Sequence, residues 1–169
     1  LRSLIESMSK RTYSSSDKLI LFLATGFCSG HAPKAPGTVG TVVAIAPLLL
    51  LQQLTLVPYI IVVAFASIAG IYLCHKADEL LHTHDNKSIV WDEFCGLWIT
   101  FIAVPAGWIT LLAGFVLFRF FDIIKPWPIS VADRKVTGGL GVMLDDIIAG
   151  MFSLVILHTL LYHNLLPIA

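Results

Sequence analysis

Five acidic residues of this chain border long runs that contain no charge. Asp92 and Glu93 come directly before one such run, and Asp122 lies just after it. Asp145 and Asp146 come directly before another. One acid in the first turn of a helix complements the helix dipole, but adjacent carboxylates repel each other and are costly beside apolar segments. A bound divalent cation removes both costs, and an all-oxygen ligand set is typical of Mg²⁺.

The segment GFCSGHAPKAPGTVGT, residues 26–41, combines glycine and proline with a single cation, Lys34, and predicts a helix that begins near Thr38 and Thr41. Glycine lets backbone N–H groups approach an anion, and a helix N-terminus adds partial positive charge. The segment therefore fits a phosphate-binding loop, although its residue order differs from that of a Walker A loop. An ordinary loop before a helix has the same composition, and the spacing alone does not decide between the two.

The segment FRFFDIIKPWPI, residues 118–129, places Arg119, Asp122 and Lys125 three residues apart at the end of an apolar run. On a helix these side chains share one broad face, and charges beside a membrane segment are costly unless they are paired or functional. Pro126 disfavours helical geometry at Lys125, so the lysine is predicted at the helix end, where a phosphate would meet it. The simpler alternative is an ion pair between Arg119 and Asp122.

Metal-binding carboxylates beside phosphate-binding cations predict phosphoryl transfer or hydrolysis at a lipid headgroup. The metal would polarise the phosphate and activate a water, while Lys and Arg neutralise the charge that develops on the phosphoryl oxygens. Two covalent routes are disfavoured, because Cys28 begins no Cys-x₅-Arg loop and the adjacent aspartates are not the Asp-x-Asp of aspartyl-phosphate enzymes.

Two other sets of potential ligands are weaker candidates. The cysteines show no paired spacing and are predicted to be small buried hydrophobic residues; they are Cys28, Cys74 and Cys95. His82, His84 and Asp85 form a possible metal cluster, although a polar loop of this kind is more often solvated.

Most of the chain is too apolar for an average soluble domain. Of 169 residues, 57% are hydrophobic and 13% charged, and the mean hydropathy is +0.85, whereas about a quarter of the residues in soluble proteins are charged. Residues 38–74, 94–118 and 147–169 contain no Asp, Glu, Lys or Arg. Because a spanning helix needs about 20 apolar residues, these runs predict an all-α membrane protein with about five spans. The predicted spans are 38–54, 58–74, two segments on either side of VPAG within 91–124, and 144–163.

The charges fall on one side of this predicted bundle. All eleven Lys and Arg lie there with all eleven acids, and the positive-inside rule makes that side cytoplasmic. Residues 1–18 are predicted to be a polar cytoplasmic segment and residues 19–169 a single membrane domain. There are three alternatives: a re-entrant hairpin around VPAG, a soluble helical bundle, and nucleic-acid binding. A soluble bundle is disfavoured because the chain has too little polar sequence to cover the apolar runs. Nucleic-acid binding is disfavoured because the chain has zero net charge and no basic cluster.

Four motifs in this order resemble the phosphatidylglycerophosphatase A family of bacteria. They are PKAPGTVG (33–40), IVWDEFxGxWI (89–99), FRxFDxxKPWPI (118–129) and GGxGxMxDDIxAG (138–150). The resemblance runs from about residue 20 to residue 163. It implies a Mg²⁺-dependent phosphatase of the inner membrane that converts phosphatidylglycerophosphate to phosphatidylglycerol and phosphate. It supports these site residues: Lys34, Asp92, Glu93, Asp122, Lys125, Asp145 and Asp146.

Individual roles are assigned as hypotheses. Asp92, Asp145 and Asp146 are the predicted Mg²⁺ ligands, and Glu93 or Asp122 is the predicted general base or a group behind the ligands. The predicted phosphate-binding residues are Lys34, Thr38, Arg119 and Lys125, and Lys34 is also a candidate catalytic residue. A divalent-cation transporter is the alternative function, but it requires ionisable residues at the membrane midplane rather than at helix ends. The repeated aspartate signature of CDP-alcohol phosphotransferases is absent.

Overall fold

The computed structural model describes residues 13–82 and 86–166, and over these ranges every regular element is helical. The all-α prediction is therefore confirmed for the part of the chain that is described. A short 3-10 turn occupies Ser29–His31. The α-helices are α1 (Ser15–Ala24), α2 (Pro36–Leu51), α3 (Leu56–Leu81), α4 (Trp91–Thr100), α5 (Trp108–Ile124), α6 (Ile129–Lys135) and α7 (Gly138–Tyr162).

Five of these helices, α2, α3, α4, α5 and α7, occupy the five predicted apolar segments, and the chain breaks between α4 and α5 where VPAG predicted a break. Two of them, α3 and α7, are long and apolar enough to cross a membrane. With ten residues, α4 is only about 15 Å long, about half the thickness of a bilayer's hydrocarbon core. The count of about five spans therefore stays a prediction.

Local signals explain where several helices begin and end. Ser14 and Asp17 form a capping box at the start of α1, and Pro36 is the first residue of α2, where its missing N–H removes no helical hydrogen bond. Lys125 ends α5 in a left-handed conformation with φ +46°. The prediction that Pro126 keeps Lys125 out of the helix is confirmed.

The short helix α4 forms the centre of the core. All of its residues except Asp92 are buried, and it packs against α7, α2 and α3. Indole N–H groups fix it to its neighbours: Trp91 donates to the Ala66 carbonyl at 3.2 Å, and Trp98 donates to the Ala44 carbonyl at 3.0 Å. The Tyr59 hydroxyl donates to the Trp98 carbonyl at 2.7 Å. These buried bonds set the rotation of α4 about its axis.

Two glycines allow α4 and α7 to approach closely. A Cβ atom at Gly150 would lie 2.4 Å from the Gly96 carbonyl oxygen, and one at Gly96 would lie 2.8 Å from the Asp146 carbonyl oxygen. Gly96 is four residues after Asp92, and Gly150 is four residues after Asp146. Because residues four apart share a helix face, the contact that joins the helices also brings their acids together.

The described charged residues gather at one end of the bundle, since the turns at the other end, residues 52–55, 101–107 and 163–166, contain none. Between the ends, large apolar side chains are exposed on the outward faces of α2, α3, α5 and α7. Phe65 and Ile68, on α3, are 72% and 70% exposed. Contiguous apolar surface of this kind is typical of a membrane or protein interface.

Candidate functional site

Three carboxylates from two helices form a tight cluster. Asp92 and Glu93 come from the first turn of α4, and Asp146 comes from α7. Each offers one oxygen, and these oxygens all lie within 4.8 Å of one another. Three ionised carboxylates so close together repel strongly, so they are stable as anions only beside a compensating positive charge.

The cluster also contains buried oxygens that lack a partner among the described residues. They are Asp92 Oδ1, Glu93 Oε2 and Asp146 Oδ2, together with Asp145 Oδ1 beside them. A buried polar atom without a partner costs on the order of 1–3 kcal/mol, and more when it is charged. Unpaired, mutually close carboxylate oxygens are the donor set that a hard divalent cation prefers. These residues therefore fit a divalent metal ion.

Asp145, the neighbour of Asp146, makes a different contact. Lys125 Nζ donates to Asp145 Oδ2 at 2.6 Å and also to Asp133 Oδ1. Burial tends to lower the pKa of the Lys125 ammonium, but its bonds to Asp133 and Asp145 outweigh burial and raise that pKa above its usual range. The geometry thus joins Glu93 to the acid cluster and pairs Asp145 with Lys125. The prediction that Asp145 is a ligand stays a prediction.

Arg119 connects the start of α2 to the same region. It forms an ion pair with Asp122, and its guanidinium donates to the hydroxyls of Thr41 at 3.2 Å and Thr38 at 3.3 Å. A Cβ atom at Gly37 would lie 2.3 Å from Glu93 Oε1, so the start of α2 lies against the cluster and a side chain at this position would displace the Glu93 carboxylate. The simple ion pair left open by the spacing is present, and the threonine contacts extend it.

A cavity of about 480 Å³ opens over the acids, a volume within the range of about 300–1,000 Å³ typical of small-molecule sites. Its charged lining residues are Lys87, Asp92, Glu93, Asp122, Lys125, Asp133, Arg134, Asp145 and Asp146. All five predicted acids and Lys125 are among them. Lys34 is exposed in the loop before α2 and does not line the cavity, and Thr38 and Arg119 lie behind it in contact with each other.

Lys87, Asp133 and Arg134 line the cavity but were not predicted from the sequence. They lie in a polar turn and in the seven-residue helix α6, where no periodic pattern distinguishes them from solvated charges. Of the other candidate ligands, His82 ends α3 in a left-handed conformation, and His84 and Asp85 lie outside the described residues.

Burial of the cysteines is confirmed for Cys74 and Cys95 only. Cys28 is exposed and lies in the turn between α1 and the 3-10 turn.

Comparison with known proteins identifies relatives over most of the chain. The profile of the phosphatidylglycerophosphatase A family matches residues 22–161. A protein of Escherichia coli K12 named phosphatidylglycerophosphatase A is 47% identical over 142 residues, which cover 83% of each chain. A Haemophilus influenzae protein of the same name is 41% identical over 145 residues, 85% of this chain and 89% of the relative.

A third relative, from Bacteroides thetaiotaomicron, carries a provisional name as a phosphatidylinositol-3-phosphatase. It is 37% identical over 151 residues, 82% of this chain and 91% of its own. No solved structure matches the chain significantly.

Proposed function

The chain belongs to the phosphatidylglycerophosphatase A family, and we propose that it hydrolyses the phosphomonoester of phosphatidylglycerophosphate to phosphatidylglycerol and inorganic phosphate. The observation that carries this proposal is the cluster of unpartnered carboxylate oxygens from Asp92, Glu93 and Asp146 beneath a cavity that also contains cations. The names of the Escherichia coli and Haemophilus influenzae relatives support the same reaction.

Asp92, Glu93 and Asp146 are the residues that would hold a divalent cation, with Mg²⁺ the proposed ion because all the donors are carboxylate oxygens. Such an ion supplies Lewis-acid activation of the phosphoryl group and of the attacking water. The Glu93 carboxylate also lies close to the start of α2, since a Cβ atom at Gly37 would be 2.3 Å from its Oε1. Buried side chains that cannot relax keep the donor set preorganised.

The cations of the site would bind the phosphate. Lys125 lines the cavity with its ammonium between Asp133 and Asp145. It can therefore exchange one of these carboxylate acceptors for a phosphoryl oxygen with little movement. Arg119 is held by Asp122 and two threonines. Its Nε has no partner among the described residues, and its proposed role is to orient Asp122 and to add positive charge behind the acids.

We further propose that the bundle is embedded in the bacterial inner membrane by several helices, with the cavity at the cytoplasmic surface. The exposed apolar faces of α2, α3, α5 and α7 support membrane embedding. The concentration of charge at one end supports the orientation. Ile124 and Trp127, which flank Lys125, are 57% and 78% exposed and would contact lipid at the cavity mouth, since tryptophan favours the membrane interface.

A divalent-cation transporter is less well supported. The acids lie near the charged end of the bundle, and the described residues of the opposite half offer no second acidic site along a path.

The lipids in the relatives' names share one chemistry, since phosphatidylglycerophosphate and phosphatidylinositol 3-phosphate both join a phosphomonoester to a phosphodiester.

The proposed reaction is tested with purified protein reconstituted in vesicles that contain phosphatidylglycerophosphate. We expect equimolar phosphate and phosphatidylglycerol to form with Mg²⁺ and not with EDTA. In the same vesicles, Mg²⁺ entry is followed with an internal fluorescent indicator. Protein-dependent Mg²⁺ entry without phosphate release would overturn the proposal in favour of transport.

A further inference from the structure

Two cations at the cavity have no acidic partner among the described residues. Six acids and three basic residues line the space, and the half-buried base, Lys125, is bonded to Asp133 and Asp145. The other two are Lys87 and Arg134, which are exposed and join no ion pair within the described ranges. Both residues can therefore form an ion pair with a bound anion.

The turn that carries Lys87 is fixed. The Ile89 N–H donates to the Asn86 carbonyl at 2.8 Å, and the Asn86 side-chain oxygen accepts from the Ser88 N–H at 3.0 Å. The turn also packs against the loop after α1, where a Cβ at Gly30 would lie 2.0 Å from the Ser88 carbonyl oxygen. A turn closed by its own hydrogen bonds and packed on one side presents Lys87 in a consistent position.

Arg134 reaches the cavity from a separate element. Its neighbour Asp133 is paired with Lys125, which is bonded in turn to Asp145 on α7. Ile129 and Ala132 are buried, so α6 is anchored on both its polar and its apolar side. Two independently anchored elements thus each supply to the same cavity one cation that is unpaired within the described part of the chain.

The cavity is larger than one phosphate requires. With a phosphomonoester at the acid cluster, the rest of a volume of about 480 Å³ remains for another part of the ligand. The acids would repel a second negative charge unless cations met it elsewhere. The planar guanidinium of arginine suits two-point contact with a phosphate, and lysine adds a point charge.

We propose that Lys87 and Arg134 bind the phosphodiester of the lipid headgroup while the phosphomonoester lies at the acid cluster. The pair then makes the enzyme select headgroups that carry two phosphates over lipids such as phosphatidic acid, which carry only the phosphomonoester. This inference rests on the proposed function, because it takes the acid cluster as the site of the phosphomonoester.

The test uses three variants that remove a charge and nearly preserve length: Lys87→Gln, Arg134→Gln and, as a matched control on the same helix, Lys135→Gln. Lys135 is exposed and does not line the cavity. Binding of glycerol 1,3-bisphosphate and glycerol 3-phosphate is measured by calorimetry on the detergent-purified full chain with Mg²⁺. Phosphate release from phosphatidylglycerophosphate is measured in parallel.

We expect the wild type and Lys135→Gln to bind the bisphosphate at least tenfold more tightly than glycerol 3-phosphate. That preference should fall about tenfold in Lys87→Gln and in Arg134→Gln, while affinity for glycerol 3-phosphate changes less than twofold. KM for phosphatidylglycerophosphate should rise by a similar factor with kcat nearly unchanged.

Equal affinity of the wild type for both ligands, or an unchanged preference in both variants, would overturn the inference even if phosphate release is normal. A wild type that prefers the bisphosphate but releases no phosphate would instead refute the proposed reaction and leave the second anion site standing.

Discussion

Replacement of Gly150 by alanine tests whether close packing of α4 on α7 assembles the acid cluster. The added Cβ would lie 2.4 Å from the Gly96 carbonyl oxygen, whereas carbon and oxygen in contact are about 3.3–3.6 Å apart. The obstacle is backbone, so the helices must separate by about 1 Å. Because Asp92 and Asp146 lie one turn away on the same faces, their oxygens separate as well.

This separation of the helices should have two measurable effects, a lower kcat and a lower Tm. A displacement of about 1 Å in a catalytic site can cost about 100-fold in rate, so kcat for phosphate release should fall by one to two orders of magnitude. Overpacking costs about 1–3 kcal/mol, which corresponds to a Tm lowered by about 2–12 °C for a chain of this size.

The matched variant is Gly114→Ala. Its Cβ would lie 2.4 Å from the Phe101 ring, near Leu157 and toward the uncharged end of the bundle. It should lower Tm to a similar extent while kcat of the folded protein changes less than about twofold. Both variants are assayed for phosphate release and for thermal unfolding in detergent. A Gly150→Ala protein with wild-type kcat, or equal loss of kcat in the two variants, would refute the reasoning.

Three further changes have defined outcomes. Lys125→Met should abolish most phosphate release and should also lower Tm, because it leaves Asp145 without its ammonium partner. The control Lys76→Met breaks an exposed pair with Glu79 and should change neither phosphate release nor Tm. A fully active Lys125→Met would contradict the role of Lys125 in phosphate binding. Tyr59→Phe removes the hydroxyl donor to the Trp98 carbonyl, which keeps its bond from the Phe101 N–H, so the change should cost about 0.5–1.5 kcal/mol of unfolding free energy with kcat unchanged. An unaltered unfolding curve would show that the bond contributes nothing. Thr38→Val removes one acceptor of Arg119 and should lower kcat several-fold by loosening the Arg119–Asp122 pair, whereas an unchanged kcat would show that this contact does not help Arg119 to orient Asp122.

The positions of the helices follow from the sequence because apolar run length and breakers determine them. Pro126 ends α5 where it was predicted to, and the VPAG segment separates α4 from α5. Helices α1 and α6 were not predicted. For α1 the signal was present, since Ser14 and Asp17 have capping-box spacing. For α6, seven residues are too few to show a helical period.

The set of acids was also predictable, but not the partner of each. Adjacent helical residues point about 100° apart, so the rotation of α7 decides whether Asp145 or Asp146 faces α4. That rotation depends on contacts between distant residues, notably Gly96 with Gly150 and Trp98 with Ala44. The position of Glu93 also depends on a contact between distant residues, because Gly37 lets the start of α2 lie against its carboxylate. Spacing along one chain carries none of this information.

The most direct test of the account is phosphate release from phosphatidylglycerophosphate by the wild type and by Asp146→Asn, each with Mg²⁺ and after EDTA treatment. Glu79→Gln, which alters an exposed acid outside the cavity, serves as the control. We predict full activity in the wild type and the control with Mg²⁺, none after EDTA, and at least a 100-fold loss in Asp146→Asn although it remains folded. Near-normal release by Asp146→Asn, or release that persists in EDTA, would contradict a metal-binding acid cluster as the catalytic centre.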